Sequence, residues 1–379
     1  MNWVAWKMLN GDPVKYLGTV FGVAFGVLLI SQQLSIFIGI ILRTANPTAD
    51  IREPDLWVMD PYVQNADEIK PLSDSDVYRV RGIPGVDWAV RFYKGLARAK
   101  IESGRFRQVI LLGIDDQSLI GAPTKILEGN LMDLRQPDAI LVDKEGYNML
   151  WPGEKFQAGR TLEMNDRRAV VVGLCEAAPP FQTFPVVYTR YSQAIRFVAS
   201  ERQQLSFVLA GVQPGVSTAE VSQRINQSTD LRALSRPEFL WLNIKYYLEN
   251  TGIPVNFGIT ITLGFIVGTA IAGQTFYLFT VENLKQFGAL KAMGVNNWRL
   301  VGMILLQAMV VGILGYSIGI GMTSAFFEVT SKALPDLRGL HLLVETALGT
   351  GAAVSVIIVL ASVLSLRKVL TLEPAVVFR

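Results

Sequence analysis

One histidine and one cysteine are all that the 379 residues offer for imidazole, thiol or redox chemistry. His341 has no Cys or His cluster at metal-ligand spacing around it and reads as a solvated or interfacial side chain. Cys175 ends a strand-like run, Ala169-Val-Val-Val172, with no histidine nearby to activate it. That context predicts a half-buried structural residue and no nucleophile. A lone cysteine also forms no internal disulfide. Asp115-Asp116 is the most obvious carboxylate pair. Neighbours on a strand point to opposite faces, so the pair predicts surface solvation and no acid–base dyad. No G-x-x-x-x-G-K-[ST] sequence is present to cradle phosphates. The chain is therefore read as no enzyme, with no cofactor of its own. A net charge of +3 is too small to suggest a nucleic-acid partner.

Two spacing patterns remain. In the segment 282–299, Leu284, Phe287, Leu290 and Met293 fall three or four residues apart, which puts them on one helix face. Lys285 and Lys291 lie off that stripe, and Gly294 is placed to stop the helix. Periodicity alone fits equally a helix lying on the membrane surface and a helix whose apolar residues dock into a partner's groove. On the docking reading, Asp at Phe287 or Leu290 should uncouple a partner without unfolding the chain. The second pattern is glycine at helical spacing. Gly18, Gly22 and Gly26 recur every four residues, and Gly264 with Gly268 and Gly315 with Gly319 repeat the interval. Such spacing lets helix backbones approach closely, either within the chain or across a homodimer seam.

These patterns need helices to carry them. Half of the residues are apolar and only 18% are charged, against about 25% in ordinary soluble domains. The deficit sits in four uncharged runs, at 17–42, 253–281, 300–327 and 346–366. Each reaches the roughly 20 apolar residues that a membrane-crossing helix needs. The first is too long for the 7–15-residue apolar region of a cleaved signal peptide, so it is read as a retained helix. None of the runs has a charge near its middle, which disfavours an ion-driven carrier. Trp3, Val4, Trp6, Met8 and Leu9, with Lys7 and Lys15, predict an interfacial helix within 1–16, with tryptophan at headgroup level.

Basic residues set the orientation. Segments 1–16, 282–299 and 367–379 carry Lys7, Lys15, Lys285, Lys291, Arg299, Arg367, Lys368 and Arg379, whereas the short loop 328–345 carries only Lys332 and Arg338. By the positive-inside rule, both termini and the loop 282–299 are cytoplasmic, and the long segment 43–249 is outside. That segment holds five strand-like runs, at 55–59, 109–112, 139–142, 169–172 and 205–209. Ser217-Thr-Ala-Glu220 has the form of a capping box and predicts a helix over 217–227. The expectation is a large α+β domain inserted between the first two of four transmembrane helices. Pro179-Pro180 and Pro185 mark an extended loop in it, and Asn46-Pro47 and Gly252-Ile-Pro254 mark its joints.

Phe287-Gly-Ala-Leu-Lys-Ala-Met-Gly294, straight after the second span, resembles the E-x-G-x-L-[KR]-A-[MIL]-G signature of FtsX/MacB-type ABC permeases, with Gln286 in place of the leading Glu. Leu372-Glu-Pro-Ala-Val-Val-Phe-Arg379 resembles the closing P-x-x-x-[LF]-R of that family. The order of one span, a large domain and three spans matches as well, so the resemblance covers essentially the whole chain. Asp138-Ala-Ile-Leu-Val-Asp143, Leu234-Ser-Arg-Pro-Glu-Phe239, Leu263-Gly-Phe-Ile-Val-Gly268 and Leu290-Lys-Ala-Met-Gly294 look most like the DevC type of exporter permease.

The resemblance implies an inner-membrane permease that works as a homodimer with two copies of a separate ABC ATPase, which binds the ATP and Mg. It further implies a MacB-like periplasmic domain that meets an HlyD-like membrane-fusion protein and, through it, a TolC-like channel. Leu284, Phe287, Gly288, Leu290, Lys291, Met293 and Gly294 would form the ATPase-coupling element, while Gly18, Gly22, Gly26, Gly264 and Gly268 would pack helices or dimer halves. The cargo would be a lipid, glycolipid, peptide or drug. Related architectures serve Lol-like lipoprotein release and FtsX-like control of a cell-wall hydrolase, which stand as the alternatives.

Overall fold

The computed structural model describes residues 2–11, 13–46, 48–68, 70–199, 203–334 and 337–371. The closing motif at 372–379 and Pro47 of the first joint lie outside the described residues. The chain divides into two compact units, Met1–Gly39 with Gly252–Arg379, and Ile40–Thr251.

Helix α1 (Asn2–Asn10) and helix α2 (Pro13–Arg43) open the chain. Gly11 closes α1 through its N–H on the Met8 carbonyl, and Pro13 starts α2 at the position where its missing N–H costs nothing. The first four residues after the break thus belong to the spanning helix, and the interfacial helix is shorter than 1–16. Trp3 and Trp6 are exposed, whereas Ala5, Met8 and Leu9 are buried in the core of the helical unit.

The inserted unit is built on one ten-stranded mixed sheet. Its strands are β1 (Leu56–Met59), β2 (Val86–Lys100), β3 (Phe106–Ile114), β4 (Lys125–Glu128), β5 (Ala139–Asp143), β6 (Arg160–Met164), β7 (Arg167–Glu176), β8 (Val186–Arg190), β9 (Phe207–Val212) and β10 (Arg232–Ser235). The order is β10-β1-β9-β2-β3-β8-β5-β7-β4, with β6 pairing β2 and β7. The long β2 joins the two halves. Its residues 86–92 pair antiparallel with β9, and its residues 93–100 pair antiparallel with β3.

Alternation along the strands sorts side chains into cores on either side of this sheet. Trp57 and Met59 of β1, Phe92 of β2, Leu112 of β3, Leu141 of β5 and Tyr188 of β8 share one core. Leu56 and Val58 turn the other way, into a core with Val77 and Val80 of α3 (Asp74–Arg81). Ile140, Val142 and Val187 turn the other way too, toward Tyr147 and Leu150 of α4 (Lys144–Leu150). Strands covered on both faces read as unbroken apolar runs, which is why the five runs were visible in sequence. β2 carries Asp87, Arg91, Lys94 and Arg98 among its apolar residues and gives no such run.

The helix Tyr191–Ala194 is α5, Thr218–Ser228 is α6 and Arg236–Asn250 is α7. Ser217 is the N-cap of α6 but makes no side-chain cap hydrogen bond, and Glu220 pairs with Arg224 one turn on. The expected capping box there does not close, because the carboxylate has a cation at i+4. At α7 the Glu238 carboxylate does reach back, accepting from the Ser235 N–H at 2.8 Å and its hydroxyl at 2.6 Å. Phe239 of α7 stacks on Trp57, with ring centroids 4.6 Å apart and planes at 15°. Asp115 and Asp116 follow the end of β3 and fasten loops. Asp115 accepts from the Ser118 N–H at 2.8 Å, and Asp116 accepts from the Ser192 hydroxyl.

The remaining helices are α8 (Ile253–Glu282), α9 (Leu284–Ala292), α10 (Asn297–Ala333) and α11 (Val344–Leu370). Among the described residues, α2, α8, α10 and α11 are the four helices long and apolar enough to cross a membrane. They overrun the uncharged stretches at most ends, because Lys15, Arg43, Arg299, Lys332 and Arg367 extend the terminal turns. Their outward faces are apolar: Phe21, Ile259, Ile313 and Leu348 are all more than half exposed. This is what a lipid-facing surface requires.

Candidate coupling helix and small-residue seam

The element following the second spanning helix is built by its ends. Asn283 separates α8 from α9, and its side-chain amide donates to the Phe279 carbonyl at 2.8 Å. Gly294 ends α9 with φ of +85°, a conformation that side chains with a Cβ disfavour. Its N–H donates to the Lys291 carbonyl at 3.0 Å, and the Val295 N–H donates to the Leu290 carbonyl at 3.1 Å. That pair of bonds is a Schellman closure. Asn296 then caps α10, accepting from the Trp298 N–H at 3.3 Å. A short helix is thus offset from α8 at the single residue Asn283, where the hydrogen-bond ladder continues, and is stopped sharply only at Gly294.

The predicted stripe splits. Phe287 is completely buried in the core of the helical unit, in one cluster with Leu300, Met303 and Val369. Leu284 and Leu290 pack against that cluster, and Gly288 is buried. Met293 is 72% exposed. Phe287 is therefore spent on the chain's own packing and cannot serve as an anchor for a partner's groove, while Leu290 is half-buried against the same cluster. Turning the stripe inward leaves Lys285, Gln286, Ala292 and Met293 on the surface of α9 and Trp298 exposed at the start of α10. Lys291 is tied down, its Nζ donating to the Leu370 carbonyl at 3.0 Å near the end of α11. Cations favour such helix C-termini. Gln286 lines a groove of about 620 Å³ together with Trp3, Lys7, Glu282 and Asn283. In that neighbourhood Glu282 pairs with Lys15.

The glycines pack inside the chain. A Cβ on Gly26 would stand 3.0 Å from the Gly268 Cα, and one on Gly268 would stand 3.2 Å from the Gly26 Cα. Gly22 faces Ile271 at 2.5 Å by the same measure, and Gly264 faces Leu29 at 3.3 Å. The close approach of α2 and α8 uses these four residues, so they do not form a free homodimer seam. Gly18 has nothing within 4 Å of its Cβ position and takes no part. Gly315 and Gly319 admit Val23 and Val27, from another face of α2, at 2.7 and 2.5 Å.

Polar contacts that periodicity did not reveal tie the same helices together. The hydroxyls of Ser31 and Thr323 lie 2.7 Å apart, buried, and Ser35 reaches Thr346 at 3.4 Å. The Gln307 amide donates to the Ala5 carbonyl at 2.9 Å and fixes α1 to α10. Ser31 and Ser35, one turn apart in an apolar run, are the signal that sequence offered.

The remaining candidates are His341 and Cys175, the latter more deeply buried than the half-buried position its sequence context predicts. Cys175 is fully buried, and burial, reinforced by Asp143 and Asp50, pushes its thiol well above the ordinary range. His341 is exposed, its Nδ1 3.1 Å from the Gly339 carbonyl oxygen.

Comparison with known proteins adds the family. The model of the MacB-like periplasmic core domain matches residues 16–228, and that of the FtsX-like permease C-terminal region matches residues 258–374. An uncharacterized ABC transporter permease of Mycobacterium tuberculosis (strain ATCC 25618 / H37Rv) is 24% identical over 308 residues, covering 81% of this chain and 79% of the relative. One from Mycobacterium bovis (strain ATCC BAA-935 / AF2122/97) is 32% identical over 115 residues, 30% of this chain and 31% of the relative. Among solved structures, the periplasmic region of MacB from Actinobacillus actinomycetemcomitans aligns with 54% of this chain and 97% of its own at 14% identity and a TM-score of 0.37. The extracellular domain of the ABC-type transporter YknZ from Gram-positive bacteria aligns with 48% and 99% at 13% identity and a TM-score of 0.36. With its inserted domain and its permease helices each matched by a family model, the chain belongs to the MacB/FtsX-type ABC transporter permeases.

Proposed function

We propose that this permease is the membrane subunit of an exporter in the bacterial inner membrane, with both termini cytoplasmic, driven by two copies of a separate ATPase that bind ATP and Mg. The observation that carries this reading is α9. It is a short helix offset from α8 at Asn283 and stopped at Gly294, rooted by Phe287 and presenting Lys285, Gln286 and Met293 outward. An ATPase that grips this surface differently in its two nucleotide states shifts the balance between two permease conformations. Because Phe287 lies in one core with residues of α10 and α11, a push on α9 moves packed helices and not a loose loop. The movement of α8 continues into the inserted domain through Thr251 and Gly252, the two residues between α7 and α8.

The working unit is a homodimer, and the inserted domain meets an HlyD-like fusion protein that leads to a TolC-like channel. With Gly22, Gly26, Gly264 and Gly268 occupied inside the chain, the dimer contact lies on another face. The DevC-like stretches named above support this arrangement over the lipoprotein-release and hydrolase-control branches. The test is affinity purification of the tagged chain in mild detergent with identification of what accompanies it. An ABC ATPase together with a fusion protein supports the exporter. A lipoprotein or a cell-wall hydrolase in place of the fusion protein moves the function to one of the other branches. Absence of any ATPase, where a control complex survives, removes the coupling assignment.

A further inference from the structure

Strand alternation places Phe92, Lys94 and Leu96 of β2 on one face, and the first and last of these belong to or pack against the central core. Lys94 therefore holds a position where the pattern calls for an apolar side chain. Its side chain is only 5% exposed. Burying an amine there is unfavourable unless it is paired and hydrogen-bonded. Its Nζ donates to the Ala66 carbonyl at 3.0 Å and pairs with Asp67. The turn that supplies both partners is itself fixed. The Ala66 N–H donates to the buried Asn243 amide oxygen at 2.6 Å, and the Asp67 N–H donates to the Asn65 side chain at 2.9 Å. The Tyr247 hydroxyl lies 3.3 Å from the other Asp67 oxygen, and burial together with Asp67 pushes this phenol up, so it remains a donor.

This polar cluster lines a cavity of about 380 Å³, within the roughly 300–1,000 Å³ of small-molecule sites. Leu96, Ile110 and the ring of Phe181 form its apolar wall. Phe181 belongs to the proline-marked loop and packs on Tyr247, with ring centroids 4.9 Å apart. Gln182 adds an exposed amide. The charges here are already matched: an anion would meet the Asp67 carboxylate beside Lys94, and a cation would meet Lys94 beside Asp67. A neutral molecule with hydroxyl or ether oxygens meets both donors and acceptors without that conflict.

We propose that this cavity of the inserted domain binds an uncharged amphiphile, with its oxygen-bearing head at Lys94, Asp67 and Gln182 and its apolar part against Phe181, Leu96 and Ile110. The test uses the full chain in nanodiscs and a monoalkyl glycerol carrying a diazirine in its chain, with labelled peptides mapped by mass spectrometry. Labelling is expected within 178–185, 94–97 and 108–112, competed by unlabelled monoalkyl glycerol and at least tenfold less well by an alkyl sulfate or alkyl trimethylammonium of equal chain length. Leu96→Trp fills the cavity and is expected to remove the labelling. Gln182→Trp, at an exposed loop position, closes the mouth without touching the sheet and is expected to do the same. Labelling confined to the membrane helices, labelling indifferent to Gln182→Trp, or better competition by either charged amphiphile overturns the proposal. ATPase recovery with the chain is measured separately, so a negative result here leaves the coupling reading standing.

Discussion

Replacing Phe287 by alanine separates the two roles that its stripe can play. The ring is completely buried in the helical core. Truncating a buried phenylalanine costs about 3–5 kcal/mol, through lost transfer energy and the cavity left behind. At 1.4 kcal/mol per tenfold, the equilibrium between a docked and a released α9 shifts by roughly two to three and a half orders of magnitude. Phe287→Ala should therefore lower the thermal midpoint of the detergent-solubilised permease as well as weaken ATPase recovery, and Phe287→Asp should do both more severely. Met293 makes the opposite case. It is 72% exposed, and exposed positions of this kind stay within about 0.5 kcal/mol on substitution. Met293→Asp should leave the midpoint unchanged and reduce ATPase capture. The assay pairs scanning fluorimetry with quantitative pull-down on the same preparations. A Phe287→Asp variant that keeps its midpoint and loses only the ATPase would show that the stripe faces the partner, and would refute the inward packing of α9.

The remaining predictions concern packing and protonation. Gly26→Leu or Gly268→Leu should destabilise the monomer itself, since each Cβ would meet backbone across the α2–α8 contact, whereas Gly18→Leu should have no effect on expression or midpoint. Cys175 should resist maleimide in the native protein and react fully only after denaturation, as expected of a buried thiol held protonated. Asp50 is held above the ordinary carboxylate value of 3.8, first by burial and against the pull of the Ala178 N–H that it accepts. A raised acid favours the folded state below the unfolded value and loses that contribution as pH rises through the folded one. Asp50→Asn should accordingly be neutral to stabilising at pH 7, with the difference from the parent vanishing below about pH 4. Unfolding midpoints measured across that range check the sign.

What sequence revealed follows from which physical requirements leave a one-dimensional trace. The spans are legible because lipid demands some 20 apolar residues in a row. The strands β1, β3, β5, β7 and β9 are legible because both of their faces are covered. β2, which joins the halves of the sheet, is hidden by Lys94 and Arg98. The glycine intervals announce close helix contact but not its partner, because Gly26 meeting Gly268 and Gly26 meeting a second copy need the same missing Cβ. The stripe of α9 has the same ambiguity, since periodicity fixes a face and leaves open what covers it. Three of its four residues turn inward, and the fourth, Met293, escapes because the helix has already ended at the turn that Gly294 completes. The surface left for a partner is thus defined by the stop signal as much as by the stripe.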